Sequence, residues 1–285
     1  MIVDNPIDFA GGALIENRKS KIENSLFVYW RWLSFLLLLV AGTARGDWRA
    51  ELSPPEPGGF PPLRPVKLEY QCGWAALAAG RVEAQFSRPG ADTCELEATA
   101  ATTGLARALW RLDATHEARG NLLTLKPLTV RQQEVYRAQT VRTELDFDGK
   151  GVARLRESTT DKSPARRKRY DFPNLYDLQT ALLYVRSQKL TTGAVYRIVV
   201  YPGTAPYLAT VTVLGREGIK VPAGSYPAIK LDLRLQKVTE DMTLAPHGKF
   251  KRGTAWLSDD ADRLPLRMNA QIFVGSVWVE LAKAE

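Results

Sequence analysis

Apolar and polar residues alternate at a period of two from Val66 to the C-terminus, broken by glycine or proline about every ten positions, and this pattern constrains the fold most. Leu68, Tyr70, Cys72 and Trp74 share one parity against Glu69 and Gln71. Beyond Gly80, Val82, Ala84 and Phe86 alternate with Arg81, Glu83 and Gln85; beyond Pro89 and Gly90, Cys94, Leu96 and Ala98 alternate with Glu95 and Glu97. Successive side chains of a strand point to opposite faces, so each segment buries one face and wets the other. The spacing predicts a three-strand meander, then strands over Arg131–Val141, Thr143–Phe147 and Val152–Glu157, and a second series of strands from Val195 to Leu281. Leu105–Leu112 can form a short helix, and Ala114–Pro127 reads as a connection that carries His116.

One stretch departs from this rhythm. In Pro173–Gln188, Leu175, Leu178, Leu182 and Val185 recur at spacings of three and four, the period of an amphipathic helix with a core-facing stripe. Asn174 can cap its start, with Asp177 in the first turn, and Arg186 and Lys189 suit its end. The expected fold is therefore mainly β: a curved antiparallel sheet or partly open β-barrel with one principal α-helix packed against it.

Ahead of this domain, Leu33–Val40 is an apolar run preceded by Lys19, Lys21 and Arg31 and followed by Ala41, Gly42 and Ala44. That is the pattern of a secretory signal, with cleavage expected after Ala44 or Gly46; an uncleaved inner-membrane anchor is the alternative. Residues 1–46 are thus read as leader and signal peptide, 47–65 as a Pro- and Gly-rich linker running as an extended tether, and 66–285 as a single β-domain. The expected location is periplasmic or outer-envelope. The net charge is +8, and loss of the leader, with five basic and four acidic residues, leaves +7. Such a charge suits a membrane surface or an anionic envelope polymer, and nucleic acid is not an expected partner of an exported chain.

Cys72 and Cys94 both fall on inward parity in an oxidising compartment, which raises a disulfide. If the first three strands are successive neighbours, however, the first and third lie about 9.5 Å apart, beyond the reach of about 7 Å that a disulfide needs. A bridge and two buried free thiols both stand as readings. Arg166, Arg167, Lys168 and Arg169, in the polar loop Asp161–Arg169 before the helix, form the densest run of charge and the candidate site for an anionic head group, with Tyr184 of the helix beside it. The histidines, His116 and His247, are far apart in sequence, so no zinc pattern arises. The acids Asp259, Asp260 and Asp262 lack the spacing of a calcium loop and read as a solvated turn. No nucleophile elbow, phosphate loop or dinucleotide fingerprint is present, so no catalytic residue, metal or cofactor is expected.

Several segments together carry a resemblance: Asp177–Gln188, Gly215–Leu233, Ala255–Met268 and the closing Gly275–Leu281, with Leu68–Trp74 and Gly104–Asp113 before them. They resemble the bacterial envelope family catalogued as domain of unknown function 3108. The resemblance implies an exported, mainly antiparallel β-protein with no assigned activity. Two functional readings follow. One is a non-catalytic binding module whose sheet and helix enclose an apolar cleft for a lipid or other amphiphile. The other is an interaction protein with a core filled by Trp74, Trp110, Trp256 and Trp278 and a surface that binds envelope glycan or protein. A glycan hydrolase with paired carboxylates ranks below both.

Overall fold

The structure is a computed structural model that describes residues 47–160, 165–248, 250–272 and 275–285. The expected signal peptide lies outside the described residues. The alternating segments form strands β1 (Val66–Trp74), β2 (Leu77–Ser87) and β3 (Thr93–Thr102), the expected meander. A short helix α1 (Gly104–Leu109) leads to β4 (Leu112–Asn121), β5 (Pro127–Tyr136), β6 (Thr140–Phe147), β7 (Gly151–Ser158) and β8 (Arg166–Asp171). The principal helix α2 (Leu178–Ser187) follows, then β9 (Val195–Val200), the long hairpin β10 (Tyr207–Val221) and β11 (Gly224–Val238), and β12 (Leu244–Ala245). The chain ends with β13 (Phe250–Ser258), β14 (Pro265–Ile272) and β15 (Ser276–Ala284).

All the described strands belong to one antiparallel sheet, in the order β8-β7-β6-β5-β4-β3-β2-β1-β15-β14-β13-β11-β10-β9, with β12 paired to β11. The first and last strands of the domain, β1 and β15, are neighbours, and the two edges are β8 and β9, which flank α2 in sequence. The sheet is therefore open where the helix interrupts it. Tyr176, between β8 and the helix, forms a parallel bridge with Val200 of β9 across this seam, donating its N–H to Val199 O at 2.9 Å and accepting from Tyr201 N at 2.7 Å. Aromatic rings continue the closure, with Tyr170 stacked on Phe172 and on Tyr201 at 6.3 and 6.1 Å. Ala118, Val130, Leu145 and Val152 from one end of the sheet bury against Val199, Tyr201, Leu208 and Val238 from the other. Each large apolar side chain so buried contributes about 1.5–3 kcal/mol.

Several expectations need correction. The connection around His116 is strand β4, because its residues pair on both sides, Ala98 to His116 and His116 to Gln132. The helix begins at Leu178, and its cap is Asp177, whose carboxylate accepts from Thr180 N at 2.8 Å in a reciprocal capping box. Asn174 instead sits at φ 57° and accepts from Lys126 Nζ at 2.9 Å. The inward stripe differs in part: Leu175 and Val185 are buried as expected and Leu178 is half-buried, but Gln179, Thr180, Leu183, Tyr184 and Ser187 are buried too, whereas Leu182 is 38% exposed. Of the four tryptophans expected in the core, Trp256 is buried and Trp74, Trp110 and Trp278 are half-buried.

The Pro- and Gly-rich segment opens with a 3-10 turn at Trp48–Glu51 and then continues as a strap packed on the domain, where an extended tether was expected. Ser53 N donates to Arg197 O at 2.8 Å beside β9, and Phe60 N donates to Ser187 O at 3.1 Å at the end of α2. Trp48 stacks on Phe172 at 5.7 Å and donates Nε1 to Met242 O at 2.8 Å. Helix α2 is thus held between sheet and strap, which explains why so much of its circumference is buried.

Candidate functional site

The four cations singled out in the sequence lie on β8, an edge strand paired only with β7. Their side chains alternate between faces, so they do not converge. Lys168 pairs with Glu240 at 2.5 Å, and Arg169 with Asp148 at 2.9 Å and Asp171 at 2.6 Å. A charged edge strand of this kind discourages pairing with another chain's strand. Tyr184 is buried on the helix; its hydroxyl donates to Pro54 O at 2.7 Å, its ring meets Tyr176 at 5.1 Å, and burial holds its pKa above the ordinary value. The tyrosine therefore anchors the strap and stands apart from the cations.

The two cysteines are free and buried. Cys72 lies opposite Gly80, which lies opposite Thr102 on β3, whereas Cys94 is eight residues further along that strand. At about 3.3 Å per residue the separation is on the order of 26 Å, so the disulfide reading gives way to two buried thiols. Burial pushes Cys72 up to about 12 and Cys94 up to about 11. Among the described residues no group of three His, Cys, Asp or Glu is placed to hold a metal. The Asp259–Asp262 turn caps its own backbone, with Asp260 Oδ1 accepting from Asp262 N and Arg263 N at 2.9 and 3.0 Å. It also docks the helix, since Arg186 donates Nε to Asp262 O at 2.7 Å and Arg263 donates Nη1 to Arg186 O at 2.6 Å.

The concave feature that sequence reasoning missed crosses β15, β1, β2, β3 and β4. It is a depression of 420 Å³. The register places its lining in cross-strand rows, one of Lys67, Gln85, Glu97 and Glu117 and the other of Glu69, Glu83, Thr99 and Thr115, with Lys283 of β15 and Glu285 just beyond that strand at the end. Glu97 and Glu117 are directly opposite each other, as are Glu69 and Glu83. Like charges so placed repel. Arg81 relieves the second pair, reaching Glu69 at 2.5 Å and Glu83 at 3.3 Å. Glu97 and Glu117 make no ion pair within 4 Å among the described residues, although Arg131 of β5 lies directly opposite Glu117 and both carboxylates add to the effect of Glu95 in raising the pKa of Arg119. His116 lies between these rows, and its burial pushes its pKa down to about 4. Alternation marked Glu97 as solvent-facing, whereas Glu117 fell in a stretch read as a connection; that the two face each other across β3 and β4 is a fact of register. A second cavity, an apolar slot of 80 Å³ lined by Phe147, Phe172 and Leu175 beside Lys126, is much smaller.

These features define a large, seam-closed antiparallel β-sheet protein with an acidic surface groove. The chain belongs to the DUF3108 family of proteins of unknown function, whose profile matches residues 69–282. No curated protein matches it. Among solved structures it is similar to a β-barrel-like protein of the DUF1849 family from Brucella abortus, with 9% identity over 79% of this chain and 98% of the other, at a TM-score of 0.49. It is also similar to a candidate lipoprotein of Parabacteroides distasonis, with 8% identity over 81% and 99% of the two chains and a TM-score of 0.33. A candidate exported protein of YmcC-like fold from Bacteroides fragilis matches with 10% identity over 80% and 99%, at a TM-score of 0.28.

Proposed function

We propose that this protein is a non-catalytic interaction module of the bacterial cell envelope, exported across the inner membrane, that binds a cationic segment of an envelope protein in the groove across β1–β4 and β15. The observation that carries this reading is the surplus of carboxylates in a depression of 420 Å³, where Glu97 and Glu117 stand directly opposite each other. The groove's acids, Glu69, Glu83, Glu97, Glu117 and Glu285, outnumber Lys67 and Lys283, in a chain whose net charge is +8. A ligand bearing lysine or arginine would convert the repulsion between opposed carboxylates into two attractions. Five strands span four inter-strand spacings, roughly 19 Å, the length of about six extended residues.

The amphiphile-binding reading draws less support from the geometry. It requires an apolar cleft beside Leu182 with cations at its mouth. Leu182 is surface-exposed, Tyr184 is committed to Pro54, and the cations occupy an edge strand.

Fluorescence anisotropy with labelled hexalysine tests the proposal. The expected result is saturable binding that weakens with salt, is lost in the Glu97→Lys, Glu117→Lys double variant, and is retained when exposed Glu157 is changed to Lys. Equal binding by the wild type and the double variant would overturn it. Native mass spectrometry that finds a stoichiometric acyl-bearing adduct would restore the amphiphile reading.

A further inference from the structure

At the end of β4 remote from Gly120, where β1 turns into β2 and α1 joins β3 to β4, the chain places apolar residues in water. The turn Ala75-Ala76-Leu77-Ala78 has no polar side chain, and Leu77 is 58% exposed. Beside it, α1 presents Leu105 and Leu109, 67% and 68% exposed. Four residues apart, they share one helix face. Helix α1 is held to β2 by the bond from Thr103 N to Ala79 O at 3.0 Å, which sets the two apolar elements side by side. Half-buried indoles stand at the base of this tip: Trp74, Trp110, and Trp278, whose Nε1 donates to Ala75 O at 2.9 Å.

The rim is cationic. Arg107 and Arg111 share the single carboxylate of Asp113, at 2.8 and 3.2 Å, leaving a positive surplus. Arg137 adds another charge at the end of α1, where it donates to Ala108 O at 2.8 Å. A helix of six residues has no independent stability, so its exposed leucines gain nothing for the fold. Apolar side chains projecting beyond a belt of indoles, with arginines around them, match the layered polarity of a bilayer interface. The surplus positive charge selects anionic head groups.

We infer that this tip docks the protein on an anionic membrane surface: Leu77, Leu105 and Leu109 enter the boundary between head groups and acyl chains, while Arg111 and Arg137 meet lipid phosphates. The groove proposed above is a separate feature, and either assignment can fail without the other.

Vesicle flotation of the full-length chain tests it, with phosphatidylcholine vesicles carrying about 30% phosphatidylglycerol compared with pure phosphatidylcholine. Any contribution of the leader is common to all variants. The expected result is that Leu105→Glu, Leu109→Glu lowers the vesicle-bound fraction at least tenfold, that Arg111→Glu, Arg137→Glu lowers it only on the anionic vesicles, and that Leu123→Glu, a change at an exposed leucine elsewhere, leaves it unaltered. Equal flotation of the wild type and the Leu105→Glu, Leu109→Glu variant would overturn the inference, as would binding of this tip to a protein without partition into vesicles. Because the charged variant could be misfolded, a Leu109→Cys protein carrying an environment-sensitive dye supplies a second reading. A blue shift on adding anionic vesicles supports insertion, and an unchanged spectrum rejects it.

Discussion

The guanidinium of Arg263 lies 3.4 Å from the centre of the Phe60 ring, and through this contact the strap, the helix and the turn before β14 become one unit. Arg186 approaches the same ring at 5.1 Å, and burial together with Arg263 pushes its pKa down to about 10. Arg263 spends its donors on the helix-end carbonyls of Arg186 and Gln188, at 2.6 and 2.8 Å. Orphan carbonyls at a helix end need such partners.

Phe60→Ala removes the ring between two cations and should cost about 2 kcal/mol, from a partly desolvated cation–π contact and lost apolar burial. Urea denaturation measures the loss. Limited proteolysis should then cut residues 53–62 faster than in the wild type, since the strap's remaining bonds to Ser187 and Tyr184 no longer close around a ring.

His116 makes stability depend on pH. Its pKa falls from the ordinary 6.5 to about 4 because burial disfavours the charged ring. Between those values the unfolded chain binds more protons than the folded one, so stability is full above about pH 6.5 and declines as pH falls towards 4. The shift corresponds to roughly 2 kcal/mol after allowance for the partial exposure of the ring. His116→Gln should flatten this part of the profile, read as urea midpoints at pH 7.5 and 4.5; an unchanged slope would remove His116 from the account.

Cys72 and Cys94 should behave as inert thiols, because the thiolate is the reactive form and burial raises both pKa values well above neutrality. Mass spectrometry of the folded protein with a maleimide at pH 7 should show negligible labelling within minutes, and two labels after unfolding. The melting temperature should be the same with and without reductant.

Gly120 is the point where β4 meets the helix. A Cβ added there would lie 2.8 Å from Thr180 Cγ2, 3.2 Å from Lys126 O and 3.3 Å from Cys94 Sγ. Gly120→Ala should therefore destabilise by about 1–3 kcal/mol through overpacking. Adding Thr180→Ser removes the nearest obstacle and keeps the capping hydroxyl, so the double variant should recover part of the loss in a double-mutant cycle.

The strands that follow from alternation, β1 to β3 and β9 to β11, were legible because side-chain direction in a strand is local: adjacent residues must face opposite ways. The existence of α2 was legible for the same reason at a period of 3.6, as was the family resemblance carried by its residues. Which face of α2 is buried was legible only in part, at Val185, because the rest depends on surfaces far away in sequence. The strap covers one side and β4 and β9 another, and Leu182 is left outside. The cations of β8 read as a loop because each is polar, yet an edge strand tolerates charge on both sides. Cys72 and Cys94 shared an inward parity, but register set them at different levels of the sheet, and the same register brought Glu97 against Glu117 to form the groove. Local periodicity thus determined the elements; strand order and register, which arise only when distant segments pay their loop-closure entropy and bury surface together, decided which residues meet.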